Sequence, residues 1–417
     1  MTPTLPLASA RIMHATALST NHSEWRRGWP IVLGAVVGSG AGPALFQNMS
    51  SLFVPGLIAE FGWSRGQISL ASGLGFAGSL AVPWLGRIVD RVGVRSTIVS
   101  CMTLLGAAYL AMAGMTGALW QYHLLVLCLA MTVPGTSALA YGKLIAARFV
   151  LHRGLALGIA TSGLPLATLT LPIVLGAVIA HGGWRGGFVV LAVYSTLIAM
   201  PVALLAIRGA TATAAAPLAS APAAGVSAAT ARRDPRFWRL GLTGFFINLG
   251  TIGLVTQLVP FGIARGLSVP EAALLLTAFG ASQIAARVAF GALIDRISPQ
   301  RIATVVALVS AGGFAFLQVP GLGLAALAAG VFLAGLMNGA ENDLFPFFAA
   351  RLFGLREYGE IYGTLIVVAL VGSGAGIIGF GALHDATGGD GTALALAAIA
   401  LTVAAVLYAG LRDRAEA

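Results

Sequence analysis

Apolar residues form about twelve long blocks along the chain, and shorter polar segments rich in arginine separate them. Most blocks reach about 20 residues, the length that an α-helix needs to cross about 30 Å of hydrocarbon. The pattern predicts an all-α, polytopic membrane protein. The expected spans are residues 29–57, 67–87, 96–117, 121–147, 154–181, 185–207, 237–264, 270–292, 301–318, 321–349, 358–383 and 391–411.

The composition supports a membrane protein. Of 417 residues, 58% are hydrophobic and 9% are charged, and the mean hydropathy is +0.91. Soluble domains carry about 25% charged residues, so a soluble fold of this composition could not cover its own surface. Small residues recur in "GAVVGSGAGPALF" (Gly34–Phe46) and "VGSGAGIIGFGAL" (Val371–Leu383). Small residues allow membrane helices to approach closely, so we expect a compact bundle.

The arginines predict the orientation of the chain. An even number of spans places both termini on one side, and most arginines fall in the segments on that side. The opposite loops contain only Arg65, Arg185 and Arg265. The positive-inside rule therefore predicts that both termini are cytoplasmic. This topology also accounts for the net charge of +10, so the charge does not indicate nucleic-acid binding.

Polar segments divide the chain into five expected parts. Residues 1–24 form an N-terminal cytoplasmic tail, and residues 25–207 form a first bundle of six helices. Residues 208–235 are rich in Ala, Pro, Ser and Thr, which predicts a flexible cytoplasmic linker. Residues 236–412 form the second six-helix bundle, and residues 413–417 form a C-terminal tail.

The two bundles carry matching landmarks, which indicates an internal repeat. "GRIVDRVGVR" (Gly86–Arg95) follows the second span, and "GALIDRISPQR" (Gly291–Arg301) follows the eighth. An aspartate beside arginines at helix ends can form charge pairs that hold one packing of two bundles and release another. The alternative is a tight turn between helices, whose arginines only follow the positive-inside rule and have no role in gating. The candidate gating residues are Gly86, Asp90, Arg91, Gly93, Arg95, Asp295 and Arg296.

With this loop signature and two six-helix halves, the chain resembles the major facilitator superfamily over residues 25–412. The resemblance implies a secondary transporter that works as a monomer without a cofactor. Its pseudo-symmetric halves rock about a central site, so that the site opens to each side in turn.

Three shorter stretches resemble the monocarboxylate and oxalate–formate branch of that superfamily. They are "GWPIVLGAVVGSG" (Gly28–Gly40), "RGLALGIATSG" (Arg153–Gly163) and "LHDATG" (Leu383–Gly388). The fifth span also lacks the glycine and proline pattern typical of drug/proton antiporters. The resemblance therefore implies an organic acid as substrate.

Ionisable side chains within a span are costly unless paired or wet, so each is a functional candidate. Arg287 lies about 12 Å inside the predicted cytoplasmic edge, and a guanidinium can hold a carboxylate through two parallel bonds. It matches an eighth-helix arginine that monocarboxylate transporters are thought to use for the substrate carboxylate. Gln283 stands where that branch often has an aspartate. The alternative role of Arg287 is structural, as the partner of an acid on a neighbouring helix.

Lys143 is the only lysine in the chain, and it lies about 7 Å inside the predicted edge. Two interpretations stay open for it. It is an anion site or gate, or it is an interfacial charge whose long side chain reaches the membrane surface.

Glu341 and Asp343 are the acids that lie away from the ends of the predicted spans. Glu341 lies about 15 Å deep, and Asp343 lies about 200° around the same helix, so the two acids cannot face the same way. Asn338, Glu341 and Asn342 share one face, which we expect to line a central cavity. A carboxyl group in such a cavity can bind and release a proton. The alternative is that one acid neutralises Arg287, and the sequence leaves open which acid carries a proton.

Uncharged polar residues complete the candidate binding site. Gln47 and Asn48 lie near the middle of the first span, and Asn248 lies at a comparable place in the seventh. Monocarboxylate transporters often carry a lysine at the position of Gln47, so this chain departs from that branch here. The expected substrate ligands are Arg287, Gln283, Gln47, Asn48, Asn248 and Asn338. The alternative for each amide is a hydrogen bond between helices.

The sequence contains no nucleophile and base pair, phosphate loop or metal spacing, so we expect no enzyme, cofactor or metal site. Cys101 and Cys128 form no motif. We expect a multi-pass protein of the cell inner membrane that moves a small mono- or dicarboxylate together with a proton. One alternative is an exporter of neutral or cationic drug-like compounds. The other is a transporter-like sensor or scaffold.

Overall fold

The protein's computed structural model describes residues 24–26, 28–78, 92–136, 141–142, 144–145, 148–149, 152–207, 225–294 and 296–411. Apart from one antiparallel bridge between Gly225 and Gly354, the regular structure in these ranges is helical. The helices before the linker are α1 Gly28–Ser39, α2 Pro43–Met49, α3 Val54–Phe61, α4 Arg65–Gly78, α5 Val94–Ala113, α6 Leu119–Ala130, α7 Val133–Thr136, α8 Arg153–Ala160, α9 Gly163–Val193 and α10 Met200–Ala206.

Eight helices follow from the end of the linker onward. They are α11 Ala228–Arg233, α12 Pro235–Val255, α13 Leu258–Ala264, α14 Val269–Leu293, α15 Pro299–Phe316, α16 Leu324–Phe353, α17 Tyr358–Thr387 and α18 Gly391–Ala409. Prolines begin α2, α12 and α15, where their fixed φ suits the first helical turn and no backbone donor is lost.

Eight helical segments of the described chain are long and apolar enough to cross a membrane, or nine if the bent pair Gly28–Ser39 and Pro43–Leu52 is one span. One of the eight, Leu155–Ala206, contains a break at Gly183, whose φ of 71° is left-handed. This break falls between the predicted fifth and sixth spans. The all-helical, multi-pass class is therefore confirmed, whereas the number of twelve spans and the cytoplasmic termini stay predictions.

The two halves meet along two helix pairs. Helix α4 of the first half packs against α17 of the second, and α9 packs against α14. A Cβ atom added at Gly280 would lie 2.6 Å from the backbone nitrogen of Leu169, so the two halves approach at backbone distance there. Within the second half, Cβ atoms at Gly372 or Gly376 would overlap the backbone of α12. These glycines lie in the predicted small-residue stretch and allow the helices to approach closely.

Polar contacts join the halves at the end of the bundle that the charge rule predicts to be external. Arg65 at the start of α4 forms an ion pair of 3.2 Å with Asp390, which precedes α18. The Gly66 N–H donates to the Asp385 carboxylate at 2.8 Å. Gln257 donates to the Ser69 hydroxyl at 2.9 Å. The halves are therefore in direct contact at this end of the bundle.

The last part of the predicted linker is helical and lies on the second half. The Val226 N–H donates to the Phe353 carbonyl at 2.9 Å, and the Ala228 N–H donates to the Glu357 carboxylate at 2.8 Å. Ala228 and Ala231 are buried. This segment therefore packs against the connection between α16 and α17.

The candidate gating motif is described only in part. Gly86, Asp90, Arg91 and Asp295 lie outside the described residues. Gly93 precedes α5 with a φ of 87°, which favours glycine. Arg95 and Arg296 are exposed to the surroundings of the bundle. A gating role for the motif stays a prediction.

Candidate functional site

A cavity of about 490 Å³ lies between the two halves. Helices α1, α2, α7, α8 and α9 form one wall, and α12, α14, α16 and α17 form the other. Most of the wall is apolar, with polar side chains near the middle of the bundle. Arg287 and Glu341 are the ionisable Arg, Lys, Asp or Glu side chains among the described lining residues.

Arg287 projects from α14 toward the first half. Its Nη1 lies 3.3 Å from the Thr161 hydroxyl and 3.4 Å from the Thr161 carbonyl, both of which are weak contacts. Its Nε has no hydrogen-bond partner among the described residues. Asp343 is near enough to interact with it electrostatically, but no described carboxylate forms an ion pair with it. The guanidinium therefore keeps donors for an incoming anion.

Glu341 lies on the cavity wall with 8% of its surface exposed. Its Oε1 accepts a 2.7 Å hydrogen bond from Asn248 Nδ2 on α12. Asn248 Nδ2 also donates to the Gly244 carbonyl at 2.9 Å, and the Ser373 hydroxyl lies 3.2 Å from Asn248 Oδ1. The acid is therefore held by a neutral amide, and Arg287 does not neutralise it directly.

Asp343 does not line the cavity and is only partly buried. It lies two residues beyond Glu341 on α16, which turns its side chain to the other side of the helix. Asn338, Glu341 and Asn342 all lie on the cavity wall, as their three- and four-residue spacing predicts. Of the two acids that the sequence leaves open, the structure thus places Glu341 at the cavity.

The amides of the second half form a chain of hydrogen bonds. Gln283 Nε2 donates to Asn338 Oδ1 at 2.7 Å, and Asn338 Nδ2 donates to the Thr251 hydroxyl at 3.3 Å. Asn342 Nδ2 bonds the Asn338 carbonyl at 2.9 Å. Gln283 Oε1 has no partner in the described part of the chain. One turn of α14 separates Gln283 from Arg287, so a free acceptor lies on the same helix face as the cation.

The first half contributes neutral polar groups to the described wall. Asn48 Nδ2 donates to the Thr168 hydroxyl at 2.9 Å. Gln47 is 9% exposed, lines the cavity, and its Nε2 has no described partner. Lys143 lies outside the described residues. The candidate site is therefore asymmetric, with its two described charges in the second half.

The family model of the Major Facilitator Superfamily matches residues 36–377. This chain belongs to the Major Facilitator Superfamily. It is a multi-pass membrane transporter of a small-molecule substrate, and the predicted membership of this superfamily is confirmed.

Several known proteins are similar to this superfamily member. An MFS-type transporter of Gibberella moniliformis (strain M3125 / FGSC 7600) is 28% identical over 319 residues, which cover 74% of this chain and 72% of that protein. The multidrug transporter protein MdtP of Bacillus subtilis (strain 168) is 31% identical over 165 residues, which cover 38% of this chain and 30% of that protein.

A bacterial homologue of the human lysosomal transporter Spinster, in an inward-facing and unoccupied conformation, has the same fold. The TM-score is 0.69 at 16% identity, over 92% of this chain and 96% of that chain. At this identity the similarity concerns the fold alone. The narrower monocarboxylate and oxalate–formate branch stays a prediction for this superfamily member.

Three hydroxyl side chains that contact the candidate site residues of this superfamily member were not predicted from the sequence. Thr161 contacts Arg287, Thr168 holds Asn48, and Ser373 contacts Asn248. Serine and threonine are common in membrane helices, where their hydroxyls usually bond the carbonyl one turn back, as Thr168 also does to Leu164. Only the packing of one helix against another distinguishes these three residues from the other serines and threonines of the membrane helices.

Proposed function

We propose that the protein is a secondary active transporter that moves a small organic acid anion, a mono- or dicarboxylate, together with a proton. The observation that carries the proposal is Arg287, a cation at the central cavity without a carboxylate partner among the described residues. A charged group at this depth costs several kcal/mol unless an opposite charge or water accompanies it. A substrate carboxylate would supply that opposite charge.

The geometry of a guanidinium suits a carboxylate. Its planar fork can form two parallel bonds to the two oxygens of one acid group. The weak contacts of 3.3 and 3.4 Å to Thr161 leave this fork available. Gln47 Nε2 and Gln283 Oε1 add one unpartnered donor and one unpartnered acceptor. This set of groups is suited to a carboxylate that carries a further polar substituent.

Glu341 is the proposed proton carrier. The carboxyl lies at the cavity and is almost wholly buried, with one described hydrogen bond from a neutral amide. Such a site accommodates a protonated acid without loss of a salt bridge. One proton that crosses with a monocarboxylate anion cancels its charge, so the pair does no work against the membrane potential.

The test uses purified protein in liposomes and radiolabelled lactate, oxalate and succinate, with and without an inward proton gradient. Arg287→Ala should raise KM for the transported acid about 30-fold or more, because a charge pair within the cavity is lost. Arg356→Ala, an exposed arginine away from the cavity, should leave KM unchanged. Equal KM values in wild type and Arg287→Ala would refute the anion site.

Proton coupling has its own readout in the same liposomes. Glu341→Gln should abolish the stimulation of uptake by the gradient while exchange of labelled for unlabelled acid continues. Uptake by the wild type that does not respond to the gradient, at equal membrane potential, would contradict the coupling and leave the anion site untouched.

Export of drug-like neutral or cationic compounds is the second candidate. The observation in its favour is the cavity itself, which is mostly apolar and falls within the range of about 300–1,000 Å³ typical of sites for drug-sized ligands. Glu341 would attract a cation, and the similar MdtP is named as a multidrug transporter. Efflux of a fluorescent cationic dye from the same liposomes, lost in Glu341→Gln and retained in Arg287→Ala, would select this candidate.

A further inference from the structure

The polar atoms on the cavity wall fall into two groups. Gln47 Nε2, Gln283 Oε1 and Arg287 Nε have no hydrogen-bond partner among the described residues. Asn248 differs, because both ends of its amide have partners within the protein. A group that already has its partners must break a bond before it can bind a substrate. The atoms of the first group are buried, so they meet a substrate only after their side chains turn, but no hydrogen bond within the described protein is lost when they do.

The contacts of Asn248 join three helices of the second half. Its Nδ2 donates to the Glu341 carboxylate on α16 at 2.7 Å and to the Gly244 carbonyl within α12 at 2.9 Å. Its Oδ1 lies 3.2 Å from the Ser373 hydroxyl on α17, which also lies 3.3 Å from the Ala369 carbonyl. The bond to Glu341 is the shortest of the four contacts.

The direction of the amide is determined by these neighbours. A turn of the amide by 180° would place Oδ1 against two acceptors, the Gly244 carbonyl and the Glu341 carboxylate. The Ser373 hydroxyl could accept from a turned amide, so the two Nδ2 contacts decide the orientation. The amide therefore presents its N–H group to Glu341 in a single orientation, and the Ser373 hydroxyl contacts its oxygen from the third helix.

We propose that Asn248 is a positioning residue for Glu341, that Ser373 holds Asn248 in place, and that neither residue is a substrate ligand. The inference rests on the proposed function in one respect, namely that Glu341 carries the coupling proton. The pair would hold the carboxyl at the cavity through the transport cycle, while the unpartnered atoms of the first group bind the substrate.

Other titratable groups surround Glu341, but none forms a described hydrogen bond with it. Tyr362 on α17 and Tyr408 on α18 lie near enough to interact electrostatically. Arg287 on α14 lines the same cavity, and Asp343 lies two residues along α16. The bond from Asn248 is thus the one described hydrogen bond to the Glu341 carboxyl. A substitution of Asn248 should therefore change the carboxyl measurably.

Infrared difference spectroscopy of the purified protein during acidification tests the inference without any substrate. The C=O band of protonated Glu341 is identified by its loss in Glu341→Gln. Asn248→Leu, which keeps the branched shape of the side chain and has no donor, should move this band to higher wavenumber because the C=O loses its hydrogen bond. Ser373→Ala should shift the Glu341 band by a smaller amount, and Ser373→Thr, which keeps the hydroxyl, should leave the band at its wild-type position. Asn342→Ala, which removes an amide whose described hydrogen bond lies within its own helix, should leave the band in place.

An unmoved Glu341 band in Asn248→Leu would overturn the inference, as would a band that moves equally in Asn342→Ala. Ser373→Ala is the milder variant and keeps the test open if Asn248→Leu does not fold.

An identified substrate adds a second readout. Asn248→Leu should alter the response to the proton gradient and leave KM unchanged, whereas a tenfold rise in KM with an unmoved band would make Asn248 a ligand. A wild type that transports no carboxylate would refute the proposed function and leave the infrared result standing.

Discussion

The ion pair between Arg65 and Asp390 joins the two halves at one end of the bundle, and Asp390→Asn is the change that tests it. The two side chains are only 12% and 11% exposed. Asparagine keeps the size of the side chain and an acceptor oxygen but removes the charge. The Nδ1 atom of His384 lies 2.8 Å from the same Asp390 oxygen, so the acid also interacts within the second half.

The expected magnitude lies between two limits. Exposed ion pairs contribute about 0–1 kcal/mol, whereas removal of one partner from a buried pair costs about 3–5 kcal/mol. A pair that is mostly buried at the edge of the protein should contribute about 2 kcal/mol, which is about 30-fold in an equilibrium. We expect Asp390→Asn to favour separation of the halves at this end by that factor.

Cysteine labelling measures that equilibrium. Ser69 is 2% exposed and contacts Gln257 across the halves, so a Ser69→Cys reporter reacts only when this end opens. Cys101 and Cys128 are replaced by serine in the same background. If opening is fast compared with labelling, the rate of reaction with a membrane-impermeant maleimide follows the open population. The rate should therefore rise about 30-fold in Asp390→Asn.

The control breaks a pair that lies within one half. Glu60 pairs with Arg185, and both belong to the first half. Glu60→Gln should therefore leave the labelling rate unchanged. Arg65→Asp combined with Asp390→Arg should bring the rate back toward the wild-type value. Equal labelling rates in wild type and Asp390→Asn would refute the reasoning, because the ion pair would then not stabilise the closed arrangement of the halves at this end.

Three further predictions concern packing, the amide chain and the linker. Gly280→Ala should lower the melting temperature in detergent, because the new Cβ would lie 2.6 Å from backbone of α9, whereas Gly312→Ala, with open space around it, should not. Asn338→Ala should cost about 1–3 kcal/mol in unfolding measurements, since the Nε2 donor of Gln283 loses its buried acceptor. Glu357→Ala removes the acceptor of a backbone N–H at the start of α11, so trypsin should cleave the arginines of that helix faster than in wild type.

Much of the fold could be predicted from local patterns. Long apolar blocks predict helices because a backbone in hydrocarbon must satisfy its own hydrogen bonds. The break at Gly183 falls where the fifth and sixth spans are predicted to part. The helical conformation of α11 could not be predicted this way. Its sequence is polar and rich in alanine, and its contacts with Phe353 and Glu357 come from residues more than 120 positions away.

The candidate site shows the same division between local and distant information. Helical spacing alone predicts that Asn338, Glu341 and Asn342 share a face, and all three line the cavity. The partner of Glu341 could not be predicted, because Asn248 approaches it from another helix, 93 positions away. A structural ion pair with Arg287 was an equally reasonable expectation, and only the packing of α12 against α16 distinguishes the two.

If Arg287 binds the substrate as proposed, its contact with Thr161 would connect substrate binding to the movement of the halves. Thr161 belongs to the first half and Arg287 to the second, and both of the contacts between them use Nη1. A carboxylate that binds the edge formed by Nη1 and Nη2 competes with Thr161 for Nη1. Thr161 offers the guanidinium only neutral oxygens at 3.3 and 3.4 Å, whereas a carboxylate brings a full opposite charge, so the carboxylate should displace Thr161. Binding of the anion would then remove one contact between the two halves beside the cavity. In a transporter whose halves rock, loss of such a contact would allow the halves to move relative to each other.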